Sequence, residues 1–310
     1  SWDIGSAFLC GLSFAEIHRI CKALGTPSPI KNRTVIITVP GNALFHLWNA
    51  GFLKGFAWSD VVSNNIVLVL TKAMYGLCDA PLLWQLSLRH HFRFGMHGHE
   101  SKYDDCYYVF RDASGANICE ATAHVNDNNF AGSQATLDRL RGQVEARFGQ
   151  VTRQRLPFQH VGLSFCRITG SSGKKGLHLH QAAFCQALVP HKLERGDQND
   201  RLLAPTEITQ LRAIIGALLY LCFTRADIMA DVTLLSSRMS RGAVKDFRDA
   251  NTTISRAQKS PHHGLIFHRL DPTLVLFSIS DSSFATSSTS YAVEGHVVLL
   301  AELRKATVGR

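Results

Sequence analysis

No two of the eight cysteines in this 310-residue chain are spaced C-x-x-C; they lie scattered at positions 10, 21, 78, 106, 119, 166, 185 and 222. That spacing argues against a zinc knuckle and against a disulfide framework. It predicts reduced thiols in an intracellular protein, cytoplasmic or nuclear. Long apolar runs are also missing. The longest, Ala213 to Phe223, is too short to span a bilayer, so no membrane association is expected. No basic-then-apolar leader opens the chain, and nothing points to secretion. Ser1 is not a Met and an extended stretch is already under way there, as expected of a fragment. Acidic side chains are scarce over one long segment. From Arg139 to Lys175 the single acid Glu145 faces Arg139, Arg141, Arg147, Arg153, Arg155, Arg167, Lys174 and Lys175.

A composition of 45% hydrophobic and 18% charged residues can bury a sizeable core. The net charge of +9, concentrated in that acid-poor segment, points to an anionic partner, because a solvated helix face ordinarily mixes signs. Among the fifteen histidines, His97 with His99 and His178 with His180 share the i, i+2 spacing of one strand face. Such pairs are compatible with a metal site, and equally with exposed imidazoles.

Hydrophobic periodicity divides the chain into a mixed α+β part, a helical part and a β part, with breaks near 180 and 262. In the first part "WDIGSAFLCG" reads as a strand into a turn, and "FAEIHRICKALG" as a helix ending at Gly25. "RTVIITVPG" and "NNIVLVLTKAMYGL" read as strands, the second buried and broken at Gly76. Pro81 opens a helix that places Trp84, Leu88 and Phe92 one turn apart. "CYYVFRDASGANICEATAHV" reads as a hairpin. The cluster Asn126 to Asn129 then marks a tight turn with φ > 0 residues between strands. Ser133 is placed to cap a helix carrying Leu137, Leu140, Val144 and Phe148 on one face, and Gly149 ends it. "VGLSFCRITGSSGKKGLHLH" reads as a further hairpin. Three amphipathic helices follow, with stripes Ile228/Val232/Leu235/Met239 on the second and Phe247/Ala250/Ile254/Ala257 on the third, as in a small bundle. From His263 strands return.

Five of these segments carry a resemblance. "WDIGSAFLCG" is similar to the first catalytic motif of copia-type retrotransposon reverse transcriptases, D-V-x-x-A-F-L-x-G. "LTKAMYGLCDAPLLW" resembles that family's L-K-K-A-L-Y-G-L-K-Q-A-P-x-x-W, and "HVNDNNFAGS" its [YH]-V-D-D followed by three apolar residues and a Gly. "IGALLYLCFTRADIMADVTLLS" resembles I-G-S-L-L-Y-L-x-x-T-R-P-D-I. "SISDSSFATSSTSY" resembles Y-S-D-A-D-W-A, which opens the family's ribonuclease H domain. The five stand in the family's order from residue 2 to residue 291, while residues 22 to 64 match poorly.

The resemblance implies an α+β fold: a reverse-transcriptase palm over 1–180 with the fingers largely missing, a helical thumb/connection over 181–262, and a truncated ribonuclease H-like start over 263–310. It implies an RNA-directed DNA polymerase acting on an RNA/DNA template-primer with deoxynucleoside triphosphates and Mg²⁺. In-line phosphoryl transfer of that kind uses two Mg²⁺ ions about 3.5–4 Å apart, held by hard carboxylate oxygens. The catalytic positions carried over are Asp3, Asn126 and Asp127, with Asp3 and Asp127 as the metal ligands. Phe8 corresponds to the side chain that screens the sugar 2′ position, and Tyr75 and Gly76 to the break beneath nucleotide and template. Arg139, Arg141, Arg147, Arg153 and Arg155 are the expected nucleic-acid contacts, and Asp281 corresponds to the first ribonuclease H carboxylate. The chain departs from the pattern at Asn126, where the family has a metal-binding Asp. "SDSSF" also lacks the second ribonuclease H carboxylate. These departures predict impaired catalysis, and leave open a non-catalytic nucleic-acid-binding remnant or a transposon relic without function.

Overall fold

The computed structural model describes residues 1–29, 34–63, 66–170, 173–270, 273–283 and 293–302. They form an α+β fold of helices and antiparallel sheets, divided into two compact units, Ser1–Gln154 and Arg155–Arg310.

In the first unit β1 (Trp2–Ile4) leads through a 3₁₀ turn, Ala7–Cys10, to α1 (Ile17–Leu24). Gly25 caps α1 at φ 70°, the left-handed conformation that an L side chain resists. A ribbon of β2 (Val35–Thr38) and β3 (Val67–Leu70) flanks α2 (Gly41–Asn49) and α3 (Trp58–Ser63). The strand expected over "NNIVLVL" is therefore short, and it is not a buried one. Val67 and Val69 are exposed, because a two-stranded ribbon leaves one face uncovered. Asn64 and Asn65 of that segment lie outside the described residues.

Next come α4 (Ala80–His90), continued by a wider π-type turn over His91–Gly95, and then β4 (His99–Glu100), β5 (Tyr107–Arg111), β6 (Asn117–His124) and β7 (Asp127–Gly132). α5 (Gln134–Phe148) starts as the sequence predicts, with Ser133 Oγ accepting from the Thr136 N–H, and β8 (Val151–Arg153) closes the unit. The strands form one antiparallel sheet in the order β4-β5-β6-β7-β1-β8. Trp84, Leu88 and Phe92 from the α4 segment pack with Leu140, Val144 and Phe148 from α5 against Trp2, Ile4, Tyr108, Phe110, Cys119 and Ala121 of the sheet. Side chains alternate across a strand, so burying Trp2 and Ile4 on the helix-covered face turns Asp3 to the opposite face.

The second unit contains β9 (Phe158–His160), β10 (Leu163–Thr169), β11 (Lys175–His180), α6 (Ala182–Ala187), α7 (Pro205–Leu221), α8 (Met229–Ser236), α9 (Val244–Gln258), β12 (Leu265–His268), β13 (Leu274–Ser283) and β14 (Val293–Glu302). β11 pairs with β12, giving a four-stranded sheet β12-β11-β10-β9 whose members flank the helical segment in sequence. That pairing ties β9–β11 to the strand that follows the helices, so all of them fall in the second compact unit. α7, α8 and α9 share one core, in which Leu211, Ile215, Leu218, Ile228, Val232, Leu235, Phe247, Ala250, Ile254 and Ala257 are all buried. Met239, expected on the same stripe, is only partly buried. Among the described residues β13 and β14 pair with each other alone, and Leu276, Phe277, Ile279, Val298, Leu299 and Leu300 on them are exposed.

Candidate functional site

β1 lies beside β7 with Asp3 directly opposite Asp127 and Trp2 opposite Asn128. Directly opposed residues of an antiparallel pair share one face, so both carboxylates stand together on the face away from the helices. Both are half-buried. The hairpin between β6 and β7 places His124 opposite Asp127, leaving Val125 and Asn126 at its tip. The left-handed residue of this turn is Val125, at φ 53°, and not one of the Asn residues that the cluster suggested. A β-branched side chain is strained there.

Contacts hold the tip in place. Trp84 Nε1 donates to the Val125 carbonyl at 2.6 Å, and Ile4 N donates to the Asn126 carbonyl at 3.0 Å. Asn128 Nδ2 donates to that same Asn126 carbonyl, also at 3.0 Å. Asn128 is 1% exposed, and its Oδ1 has no hydrogen-bond partner among the described residues. The Asn126 side chain turns inward, and its Nδ2 donates to Asp3 Oδ1 at 2.6 Å. An ionised carboxylate only accepts, so it selects the nitrogen end of the amide. Among the described residues no three His, Cys, Asp or Glu side chains are grouped so as to hold a metal ion.

Phe8, half-buried in the turn after β1, lies with its ring centroid 5.1 Å from that of Tyr75, itself exposed. The fold thus brings together two residues separated by most of the α1–β3 segment. Gly76 has φ 93° with open space where a Cβ would stand, so backbone conformation and not crowding calls for glycine.

The arginines do not form one stripe. Arg141 pairs with Glu145 at 3.7 Å, and Arg153 with Asp138 at 3.1 Å and Gln134 at 2.8 Å. Asp138 lies one residue before the acid-poor window, so the local charge excess is smaller than the window suggests. Arg139 and Arg147 are exposed and make no ion pair among the described residues, while Arg155 belongs to the second unit. Burial pushes the His90 and His91 imidazoles down, and Arg147 adds to the effect on both, with Arg19 acting on His90 as well. Glu16 is the counter-charge facing this group. Asp281 lies mid-strand on exposed β13, opposite Gly295; residues 284 to 291 of its block fall outside the described residues. His178 and His180 do share a face, with ring centroids 4.9 Å apart. His180 Nδ1 accepts the Ala182 N–H at 3.2 Å, an arrangement opposite to that of a metal-bound imidazole, whose second nitrogen donates.

Over 324 aligned residues the chain is 27% identical to the retrovirus-related Pol polyprotein from transposon RE1 of Arabidopsis thaliana, an alignment covering 94% of this chain and 21% of that protein. The chain is a distant relative of plant retrotransposon Pol polyproteins. It is likewise 26% identical over 329 residues to the Pol polyprotein from transposon RE2 of the same plant, with the same coverage. It spans about a fifth of the length of these curated relatives. No protein-family model and no solved structure matches it.

Sequence reasoning missed one site entirely. In the "TRADI" block Arg225 is 2% exposed and grips Asp227 through Nε and Nη2 at 2.8 and 2.9 Å. Its Nη1 donates to the carbonyls of Ala257 and Ser260 at the end of α9, and Thr224 Oγ1 donates to Gln181 at 2.9 Å. An arginine with an acid two residues on, inside an apolar block, was the available signal for a buried clamp.

Proposed function

We propose that the chain derives from an RNA-directed DNA polymerase and that its polymerase site is closed by an amide. Residues 1–180 correspond in this reading to the palm, 181–262 to the thumb/connection and 263–310 to a ribonuclease H-like start carrying Asp281. Similarity to Pol polyproteins along 94% of the chain supports the ancestry. The observation that carries the closed site is Asn126 Nδ2 on Asp3 Oδ1 at 2.6 Å. Two Mg²⁺ ions require converging carboxylate oxygens. Here a donor nitrogen occupies the inner position and takes up a lone pair of one of the two acids, so the residues present do not fit the ion pair. Phe8, Tyr75 and Gly76 would then be the remains of the nucleotide site.

Incorporation of labelled nucleotide on a primed RNA template, with Mg²⁺ present, tests this. The chain should give no extension above a no-enzyme control, and extension by the unaltered chain would overturn the closed site. Asn126→Asp should raise Mn²⁺ affinity, read by calorimetry, by at least about 10–100-fold, since even outer-shell changes alter metal affinity that much.

Retention of nucleic-acid binding is favoured by Arg139 and Arg147, which are exposed and make no ion pair among the described residues. Anisotropy titrations with a labelled single strand should show weak binding that weakens with salt, at a slope of about −0.7 per phosphate contacted. Arg139→Ala with Arg147→Ala should flatten that slope by more than Arg141→Ala with Arg153→Ala, whose guanidinium groups already face carboxylates. Equal effects of the two pairs would reject this assignment.

A further inference from the structure

We propose that Trp84 is a positioning residue for the hairpin tip: its indole N–H holds the Val125 carbonyl and thereby sets the direction in which the Asn126 side chain points. Trp84 lies far from the tip in sequence, on α4, and is 1% exposed. Its ring is fixed edge-on against Phe148, with centroids 5.0 Å apart, inside the core that includes Leu88 and Phe92. An indole can only donate, and this one spends its single donor on the residue that adopts the left-handed conformation.

The geometry explains why that carbonyl matters. The peptide plane joining Val125 to Asn126 contains the Val125 oxygen, and the plane joining Asn126 to Asp127 contains the Asn126 oxygen. Trp84 fixes the first plane; Ile4 N and Asn128 Nδ2 fix the second. With both planes set, the Cα–Cβ bond of Asn126 has one direction, from which a side-chain rotamer reaches Asp3 through Nδ2. Ile4 and Asn128 act from within the sheet, whereas Trp84 acts from the helix behind it. Val125 supplies the reason an external hold is needed, because a β-branched residue with φ near 53° relaxes when released.

A merely space-filling tryptophan would give the same burial, so the test keeps the ring and removes the donor. Trp84→Phe is one variant. The second replaces the indole by the isosteric benzothiophene, introduced site-specifically, which retains the shape and the Phe148 contact if phenylalanine leaves the chain unfolded. The first readout is the side-chain amide signal of Asn126 in the full chain, labelled with ¹⁵N-asparagine and assigned by its loss in Asn126→Asp. Both donor-free variants should shift that signal and speed its solvent exchange while the melting transition stays cooperative. An unchanged Asn126 signal in a folded donor-free variant would overturn the proposal.

The second readout rests on the reading of the tip as a closed metal site. In the Asn126→Asp background, removal of the Trp84 donor should weaken Mn²⁺ binding by about 10–100-fold. Unaltered affinity there would also count against Trp84. If Asn126→Asp takes up no Mn²⁺ with Trp84 intact, the metal-site reading fails by itself, and the amide signal still decides the positioning role.

Discussion

Replacing Arg225 by alanine should destabilise the second unit by about 2–4 kcal/mol. Hydrogen bonds from a charged group contribute about 1.5–3 kcal/mol and a buried acceptor left unsatisfied costs about 1–3 kcal/mol, while Asp227 itself stands at the surface. Four donors are lost together: two to Asp227 and two to the carbonyls of Ala257 and Ser260. The last carbonyls of a helix have no partner within its regular ladder; here the guanidinium donates to that of Ala257 on α9 and to that of Ser260 just beyond it. Lysine cannot reproduce the planar fork, so Arg225→Lys should recover only part of the loss. In a unit of this size each kcal/mol lowers the midpoint by about 2–4 °C. Calorimetry should therefore show the transition of the second unit falling by roughly 4–16 °C. A drop of less than about 1 kcal/mol, the value of an exposed pair, would reject the clamp. The effect also has a pH signature. Hydrogen bonding to Arg225 holds the Asp227 carboxyl below the usual carboxylate range. A depressed carboxyl stabilises the fold above its unfolded pKa, near 4, and the contribution disappears as pH falls through the lowered value. The difference between the parent and Arg225→Ala should accordingly narrow in acid.

Phe92→Ala should cost the first unit about 3–5 kcal/mol. Phe92 is fully buried, with ring centroids 5.0 Å from Tyr108, 5.8 Å from Phe130 and 6.2 Å from Phe110. Aromatic pairs of this geometry contribute about 0.5–1.5 kcal/mol each beyond the area they bury. Alanine removes them all and leaves a void that the surrounding rings fill only in part. Phe130 also stacks on Trp2 at 3.9 Å, next to Asp3, so the loosening reaches the strand pair that carries the carboxylates. Urea titration of Phe92→Ala and Phe92→Leu checks the prediction. Leucine should retain more than half of the stability that alanine loses. A loss below about 1 kcal/mol for alanine would show that the cluster collapses to fill the gap.

Both of these side chains bear on how much the sequence disclosed. Phe92 was legible because helical spacing aligned it with Trp84 and Leu88, and periodicity is a local property. The same reason made α5 legible, from its Ser133 cap to Gly149, as well as the stripes of α8 and α9. Arg225 was not legible, because its partners are the carbonyls of Ala257 near the end of α9 and of Ser260 just past it, and backbone acceptors leave no mark in sequence. The paired carboxylates followed from the resemblance, and the register of β1 on β7 places Asp3 opposite Asp127. What the motif could not give was the orientation of an amide. Asn126 stands where the family has a metal-binding Asp, and its nitrogen faces the acid. Asn128, taken as part of the turn cluster, is buried on the returning strand and bonded to the tip. The acid-poor window begins one residue after Asp138, the acid that Arg153 grips, a contact that spacing alone does not disclose.

The contact between Asn126 and Asp3 also bears on what the first unit requires of its surroundings. Acids that face one another repel and destabilise the strands that carry them, so a cluster of three would draw its stability from dissolved cations. A ligand that binds only the folded form contributes in proportion to RT ln(1 + [L]/Kd), which makes such a fold depend on ion supply. Here the positive end of a dipole is attached to the chain itself and is present at every salt composition. The hairpin is therefore expected to keep its shape in a chelating medium.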